Sequence, residues 1–577
     1  MSGPEAKGPG GGTGIGGAPA GQEDPRADLV WGTVPRLVED AAQRHGAVEA
    51  LVDGDLRLTY AELAPEVDRH ARGFVAAGVE AGERVAVWAP NCAEWMLGAL
   101  GALRAGAVLV PLNTRFKGGE AAYIVRTAGA TTLLTVRGFL GVDYPALLGG
   151  EDTGPLARIV LLKEEHGDPA APPAGKHGAA VPVVGLTEFL EAGDAVDPAV
   201  TPARAAAVQA GDVSDLIFTS GTTGHPKGAA TTHAQSLRTF GTWSSIVGLR
   251  AGDRYLVVNP FFHTFGYKAG ILACLMAGAT VVPEPVFDAG AVMARIEAER
   301  ITVLPGPPTL YQTLLSDTRR GEHDLSSLRL GVTGAAVVPV ELVRALGDEL
   351  GFDTVLTAYG LTESCGTVTM CRRGDPPGVV ARTSGRAIPD LEVRAVADGA
   401  EVPPGEPGEI VVRGYTVMSG YWGDEEATAE AIDAEGWLHT GDIGVLDEAG
   451  NVTITDRVKD MYVVGGFNAY PAEIEAMLRG HDGVAQVAVI GVPDERMGEV
   501  GCAYVVPALG APAGRGDPDE LARSILSWSR QAMANYKVPR SVVLVDELPV
   551  NASGKVLKRE LRQRHAAGAD HVVSGRP

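Results

Sequence analysis

Residues 219 to 228 read Thr219-Ser220-Gly221-Thr222-Thr223-Gly224-His225-Pro226-Lys227-Gly228, directly after a short apolar strand signal at 215–218. Gly221 and Gly224 let backbone amides approach an anion closely. The hydroxyls of Thr219, Ser220, Thr222 and Thr223 can donate to its oxygens, and Lys227 supplies positive charge. The group suits a polyphosphate. The P-loop of nucleoside triphosphatases needs Gly immediately before the Lys and Ser or Thr after it. Here those neighbours are Pro226 and Gly228, so that class is a poor match. Gly/Thr/Ser stretches also build ordinary turns, so the string needs partners elsewhere in the chain.

Further strings supply them. Phe261-Phe262-His263-Thr264-Phe265-Gly266-Tyr267-Lys268 is aromatic around one imidazole, and Gly334-Ala335-Ala336 is small enough for close ligand approach. Ala358-Tyr359-Gly360-Leu361-Thr362-Glu363 ends on a carboxylate, the donor type a hard cation prefers. Trp437-Leu438-His439-Thr440-Gly441-Asp442 is followed by Thr455-Asp456-Arg457, and Asp442 could accept both hydroxyl protons of a sugar diol. Leu548-Pro549-Val550-Asn551-Ala552-Ser553-Gly554-Lys555 puts a lysine on a Gly-bearing loop. A pre-positioned cation lowers the electrostatic barrier when one anion attacks another.

Taken in order, these strings resemble the adenylate-forming (AMP-binding) superfamily. It includes acyl-CoA synthetases, aryl-CoA ligases, luciferases and peptide-synthetase adenylation domains, and the likeness spans Leu29 to Arg564. The resemblance implies a small-molecule carboxylic acid, ATP and Mg²⁺, with coenzyme A as co-substrate. It implies that Thr219, Ser220, Gly221, Thr222, Thr223, Gly224 and Lys227 hold the β- and γ-phosphates, and that Gly334 and Ala335 lie beside nucleotide and acyl group. By the same likeness Tyr359 stacks on adenine, Thr362 bonds phosphate, Glu363 holds Mg²⁺, and Asp442 with Arg457 holds the ribose. Lys555 would stand between the carboxylate and the α-phosphate.

In such enzymes the carboxylate displaces pyrophosphate to give an acyl-adenylate, and the thiol of coenzyme A then takes the acyl group. The C-terminal unit rotates between the steps, which assigns Lys459 as hinge and Gly465 and Gly466 to the face bordering the pantetheine tunnel. By the same resemblance, His263 falls in an aromatic gate near the acyl pocket. A positioning role suits it better than base catalysis, because a carboxylate nucleophile is already deprotonated at neutral pH. The mixed anhydride carries its own leaving group, so no cysteine is assigned as nucleophile.

Within the family, Asn113-Thr114-Arg115-Phe116-Lys117-Gly118 and the 263–270 segment are similar to the actinobacterial ligases that activate an indanedione propanoate left from steroid rings C and D. A medium- or long-chain fatty acid, or loading of a carrier protein, stays open at this point.

The elements that must position these residues are those of an α/β protein. Helical patterns at 34–45, 60–77, 291–300 and 340–350 alternate with near-continuous apolar runs at 85–89, 108–111, 215–219, 255–259, 280–283, 302–305, 329–333 and 354–358. Such runs indicate a sheet covered on both faces. Residues 142–180, rich in Gly, Pro and charge, suggest a surface excursion. After about residue 390, strands at 392–396, 409–413 and 444–456 suggest a β-rich subdomain. Helix 472–479, strands 484–492 and 501–507, and helix 520–533 then form a small α+β unit. The expected organisation is a disordered tail at 1–26, an adenylation domain at 27–456, a hinge at 457–460, a mobile C-terminal domain at 461–565 and a tail at 566–577. No internal repeat is found.

Composition narrows the class. At 577 residues the chain exceeds one ordinary core. Hydrophobic content of 45% and charged content of 21% fit a soluble protein, and a net charge of −23 argues against nucleic acid as a partner. The five cysteines include no CxxC pair, which argues against zinc and disulfides and for a reducing compartment. No apolar run reaches the roughly 20 residues of a membrane helix without interruption, so no stable membrane insertion and a cytoplasmic location are expected. Oligomeric state is not encoded in any of these features.

Overall fold

The computed structural model describes residues 23–164, 181–220, 225–334, 338, 340–397, 399–457, 462–508, 518–549, 556 and 558–574. An eight-stranded sheet runs in the order Gly420–Tyr421, Pro226–Thr232, Val213–Ser220, Val108–Pro111, Arg84–Trp88, Ala130–Arg137, Arg158–Glu164, Val183–Gly185. Its central strands are parallel, and the edge formed by Val213–Ser220, Pro226–Thr232 and Gly420–Tyr421 is antiparallel. Val85, Ala86, Val87 and Trp88 are wholly buried, as a strand covered on both faces requires. Helices Tyr60–Ala76 and Ala93–Arg104 supply part of that cover.

A second layer contains Arg254–Val257, Thr280–Pro283, Leu330–Gly334 and Thr354–Tyr359. Its two halves are joined through Val303, which bridges Tyr255 and Leu330 in parallel. The strand expected at 302–305 is reduced to that bridge, since Pro305, Pro307 and Pro308 lack the amide hydrogens a ladder needs. A five-stranded sheet, mainly Glu392–Ala397, Pro407–Arg413, Leu438–Leu446 and Val452–Arg457, follows as the β-rich part. Residues from 462 onward build two apolar clusters of their own, around Ile525 and around Ile490. Their sheet carries helices Pro471–Leu478, Pro518–Ala532 and Lys558–Ala566. The α/β class is the one found.

Three expectations change. The 142–180 excursion contains Arg158–Glu164, a parallel strand whose Ile159, Val160, Leu161 and Leu162 are buried; one apolar run was masked by the Gly/Pro-rich residues around it. Residues 23 and 24, expected in the N-terminal tail, are tied to the fold, because Glu23 pairs with Arg372 at 3.0 Å and Asp24 with Arg238 at 2.7 Å. The C-terminal tail contains Val572–Ser574, antiparallel to Ser541–Leu544, a strand too short to register by alternation. Residues 458–460 of the expected hinge, Lys459 included, lie outside the described residues. Among the described residues no helix is long and apolar enough to cross a membrane.

Candidate active site

Strands Val213–Ser220 and Pro226–Thr232 form the arms of the Gly-rich loop, with Thr219 opposite Lys227 and Ser220 opposite Pro226. Gly221, Thr222, Thr223 and Gly224 at its tip lie outside the described residues. The arms are held from the side by Gly420–Tyr421, which pairs with Ala230 and Ala229, and by the Trp422 amide, which donates to the Gly228 carbonyl at 2.8 Å. That edge strand brings Tyr421 beside the loop. The Lys227 ammonium lies 5.3 Å from the centre of the Tyr421 ring.

Strand Thr354–Tyr359 delivers the next group, and Gly334 on its neighbour is in register with Ala358, one residue before Tyr359. After Tyr359 the chain must fold back on itself. A side chain at Gly360 would put its first carbon 2.4 Å from the Gly366 carbonyl oxygen, so only glycine fits. The short turn Thr362–Ser364 then presents Glu363. Its Oε1 accepts from Thr219 Oγ1 at 2.9 Å and from Tyr421 Oη at 2.9 Å. Three distant segments thus converge on one carboxylate. Burial, and then the Glu363 charge, push the Tyr421 hydroxyl well above the usual phenol range and keep it a donor. Tyr421 was not a sequence candidate: it stands in none of the strings, and only pairing of a two-residue strand brings it here.

The Tyr359 hydroxyl donates to Asp442 Oδ2 at 2.7 Å, and Asp442 is 1% exposed. Asp442 stands opposite Arg457 across the antiparallel pair Leu438–Leu446 and Val452–Arg457. The two residues expected to share one ligand are therefore cross-strand partners, with Tyr359 joined to the same point. Thr362, Glu363, Tyr359, Gly334, Thr219, Lys227 and Asp442 are brought together by this arrangement. Ala335 and Lys555 lie outside the described residues.

His263 precedes the short helical turn Thr264–Gly266, and its Nδ1 accepts the Phe265 amide at 3.2 Å. Thr264 packs against Gly366, whose substituted carbon would fall 2.9 Å from its side chain, so the histidine segment adjoins the Glu363 turn. The residue is solvent-exposed, and the protein packed around it lowers the pKa of its ring. It is neutral at pH 7 and, with Nδ1 engaged, carries its proton on Nε2.

A wider π turn, Tyr267–Leu272, follows and buries Lys268. The Lys268 ammonium lies 2.9 Å from Asp215 Oδ1, and both side chains are inaccessible. Sequence reading missed this pair, because Asp215 reads as a lone break in an apolar strand. Gly465 and Gly466 form the turn between Tyr462–Val464 and Phe467–Ala469, with φ of 54° and 86°. A side chain at Gly466 would come within 3.5 Å of Pro307, so the turn rests against the N-terminal unit.

Among the described residues no group of three His, Cys, Asp or Glu could cage a metal. Mg²⁺ needs no such cage, since it takes one or two carboxylates plus phosphate oxygens and keeps several waters. Both side-chain bonds that Glu363 accepts among the described residues fall on Oε1, so the carboxylate suits such a role.

Known proteins resemble this chain along most of its length. Residues 38–422 match the AMP-binding enzyme family and residues 473–555 match the AMP-binding enzyme C-terminal domain. The 3-[(3aS,4S,7aS)-7a-methyl-1,5-dioxo-octahydro-1H-inden-4-yl]propanoyl:CoA ligase of Rhodococcus jostii (strain RHA1) is 49% identical over 532 residues, covering 92% of this chain and 98% of its own. A double mutant of o-succinylbenzoate CoA synthetase from Bacillus subtilis, bound with its product analogue OSB-NCoA, superposes with a TM-score of 0.76 at 26% identity, covering 93% of this chain and 99% of its own. The same Bacillus enzyme in complex with the acyl-adenylate intermediate OSB-AMP superposes at 0.60, at 27% identity, covering 91% and 97%.

The chain belongs to the AMP-binding enzyme family. More narrowly, it is an AMP-forming acyl-CoA ligase, which uses ATP and coenzyme A in two steps through an acyl-adenylate.

Proposed function

We propose that the acid activated by this enzyme is a bicyclic dioxo-indane propanoate of the kind named for the Rhodococcus relative. The observation that carries the proposal is near-half identity along almost the full length of both chains. The segments at 113–118 and 263–270 add to it, and Thr264 of the second packs beside Gly366, just past the Glu363 turn.

In this reading Thr219 and the rest of the 219–228 loop, with Lys227, hold the outer phosphates of ATP, and Thr362 bonds phosphate. Glu363, fixed by Thr219 and Tyr421, is the Mg²⁺ ligand. The ion, when bound, neutralises charge on the triphosphate. Tyr359 lies along the adenine, tethered through its hydroxyl to Asp442, which with Arg457 takes the ribose. Gly334 and Ala335 leave room between nucleotide and acyl group.

His263 offers a neutral Nε2–H to the acid or its adenylate and takes no proton from it. Lys555 stabilises charge at the α-phosphate as the carboxylate attacks. Gly465 and Gly466 border the pantetheine arm, and Lys459 is the hinge about which the C-terminal unit turns. The enzyme works in the cytoplasm on this reading, which the buried, unpaired thiols Cys92, Cys274, Cys365, Cys371 and Cys502 support.

The test is a panel of acids assayed for AMP and acyl-CoA with ATP, Mg²⁺ and coenzyme A. It holds the dioxo-indane propanoate, octanoate, dodecanoate and an aryl acid. The bicyclic acid is expected to give the highest kcat/KM, by about tenfold or more. A fatty or aryl acid turned over faster would overturn the assignment.

A further inference from the structure

We propose that Glu120 and Lys537 form a separable ionic tie between the two units, which makes Glu120 a positioning residue for thioester formation and not for adenylation. The inference rests on the two-step reaction above and adds a residue to it.

Lys537 belongs to the C-terminal unit, in the segment after helix Pro518–Ala532. Its ammonium lies 2.6 Å from Glu473 Oε1 and 2.6 Å from Glu120 Oε1. Glu473 stands in the first turn of helix Pro471–Leu478 of the same unit, whereas Glu120 stands in the first turn of helix Gly118–Ala128 of the N-terminal unit. The three side chains are 1%, 3% and 8% exposed. Aromatic rings close the surroundings: Phe116 from the N-terminal unit lies 4.7 Å from the ammonium, and Tyr536 lies 5.6 Å away. Beside them the Arg115 guanidinium covers the Phe467 ring at 4.4 Å, and Phe467 stacks on Tyr536 at 5.1 Å.

The charges are unequal in a way that favours reversible contact. One ammonium faces two carboxylates, so withdrawing Glu120 leaves Lys537 and Glu473 as a neutral pair inside their own unit. No uncompensated charge is stranded in the C-terminal core, which is what makes breaking most buried pairs expensive. Glu120 for its part keeps a local bond when it leaves, because its Oε2 accepts the Lys117 amide at 2.9 Å. The tie can therefore open without unfolding either side.

The arrangement it holds is that of the thioester step. One Bacillus enzyme is seen with a coenzyme A product analogue and with an acyl-adenylate, and this structure superposes better on the former. The contact of Gly466 with Pro307 belongs to the same arrangement.

Glu120→Gln in the full-length protein tests this. Glutamine retains a carbonyl oxygen for the Lys117 amide and removes the charge that faces Lys537. Acid-dependent ATP–pyrophosphate exchange should stay within about twofold, while thioester formation from supplied acyl-adenylate and coenzyme A falls about 10- to 100-fold, the range of a typical coupling between sites. Glu120→Asp should recover part of the lost rate. Lys537→Met would leave two carboxylates facing each other, so the glutamine variant carries the test. Unchanged thioester formation, or equal loss in both half-reactions, would overturn the proposal.

Discussion

Lys268 and Lys537 are both buried ammonium groups held by carboxylates, and what they join differs. Lys268 contacts Asp215 Oδ1 at 2.9 Å, Thr231 Oγ1 at 2.7 Å and Cys365 Sγ at 3.5 Å. Asp215 in turn accepts from the hydroxyls of Ser214 and Thr231, each at 2.7 Å. Every one of these groups sits in the N-terminal unit: Ser214, Asp215 and Thr231 on the strands that carry the Gly-rich loop, and Cys365 two residues past Glu363. Lys537 instead connects helix starts from two units that have separate apolar clusters. The lesson is that a buried ion pair takes its role from the mobility of what it joins. Within one core it fixes geometry and is costly to disturb; across two cores, with a spare carboxylate, it can act as a contact that is made and released.

Removing Lys268 should have the largest effect on stability. Lys268→Met strands a fully buried Asp215, and unfolding free energy should fall by about 3–5 kcal/mol in a denaturant titration. Both half-reactions should decline together, following the loss of folded protein. Replacing Asp215 by Leu in the same variant should restore most of the stability. A variant as stable as the parent would show that Lys268 does not fix the core.

Next in size is an acid effect in the same region. His233 is buried, its Nδ1 accepts the Val34 amide at 3.3 Å, and desolvation lowers its pKa to about 4. Above about pH 6.5 the ring is neutral both folded and unfolded. As pH falls from 6.5 toward 4 the unfolded chain takes a proton that the folded chain refuses, so stability drops. The loss should be on the order of 3 kcal/mol for this residue, flattened in His233→Gln and read from denaturant midpoints at several pH values.

The smallest of these effects should come from the Glu363 cluster. Tyr421→Phe deletes one of the two hydroxyl bonds to the carboxylate found among the described residues and should lower kcat/KM for ATP by roughly tenfold, about 1.4 kcal/mol, in pyrophosphate exchange. Stability should barely move. Loss of stability without loss of ATP use would recast Tyr421 as a packing residue.

What the sequence disclosed depended on distance along the chain and on the kind of group. Thr219, Tyr359, Glu363 and Asp442 stand in strings that resemble the motifs of the adenylate-forming superfamily, so the resemblance singled them out before any fold was known. The structure then adds which of them touch: Thr219 with Glu363, and Tyr359 with Asp442. Tyr421 was invisible because nothing near it in sequence differs from an ordinary loop. The pair Glu120–Lys537 spans 417 residues, and either residue alone reads as a solvated surface charge. The π turn that buries Lys268 leaves no periodic signal, because one extra residue per turn is lost within helical scatter. The strand Arg158–Glu164 was obscured by its Gly- and Pro-rich neighbours. Strong local chemistry was legible, and long-range pairing of common residues was not.

The most direct measurement of the account is to assay both half-reactions side by side in Lys555→Ala and Glu120→Gln. Opposite defects are expected. Lys555→Ala should lose acyl-adenylate formation by about 100- to 1,000-fold and still pass supplied acyl-adenylate to coenzyme A. Glu120→Gln should exchange pyrophosphate normally and fail in the transfer. If the two variants lose the same half-reaction, or each loses both equally, then the two steps are not divided between these residues and the account is contradicted.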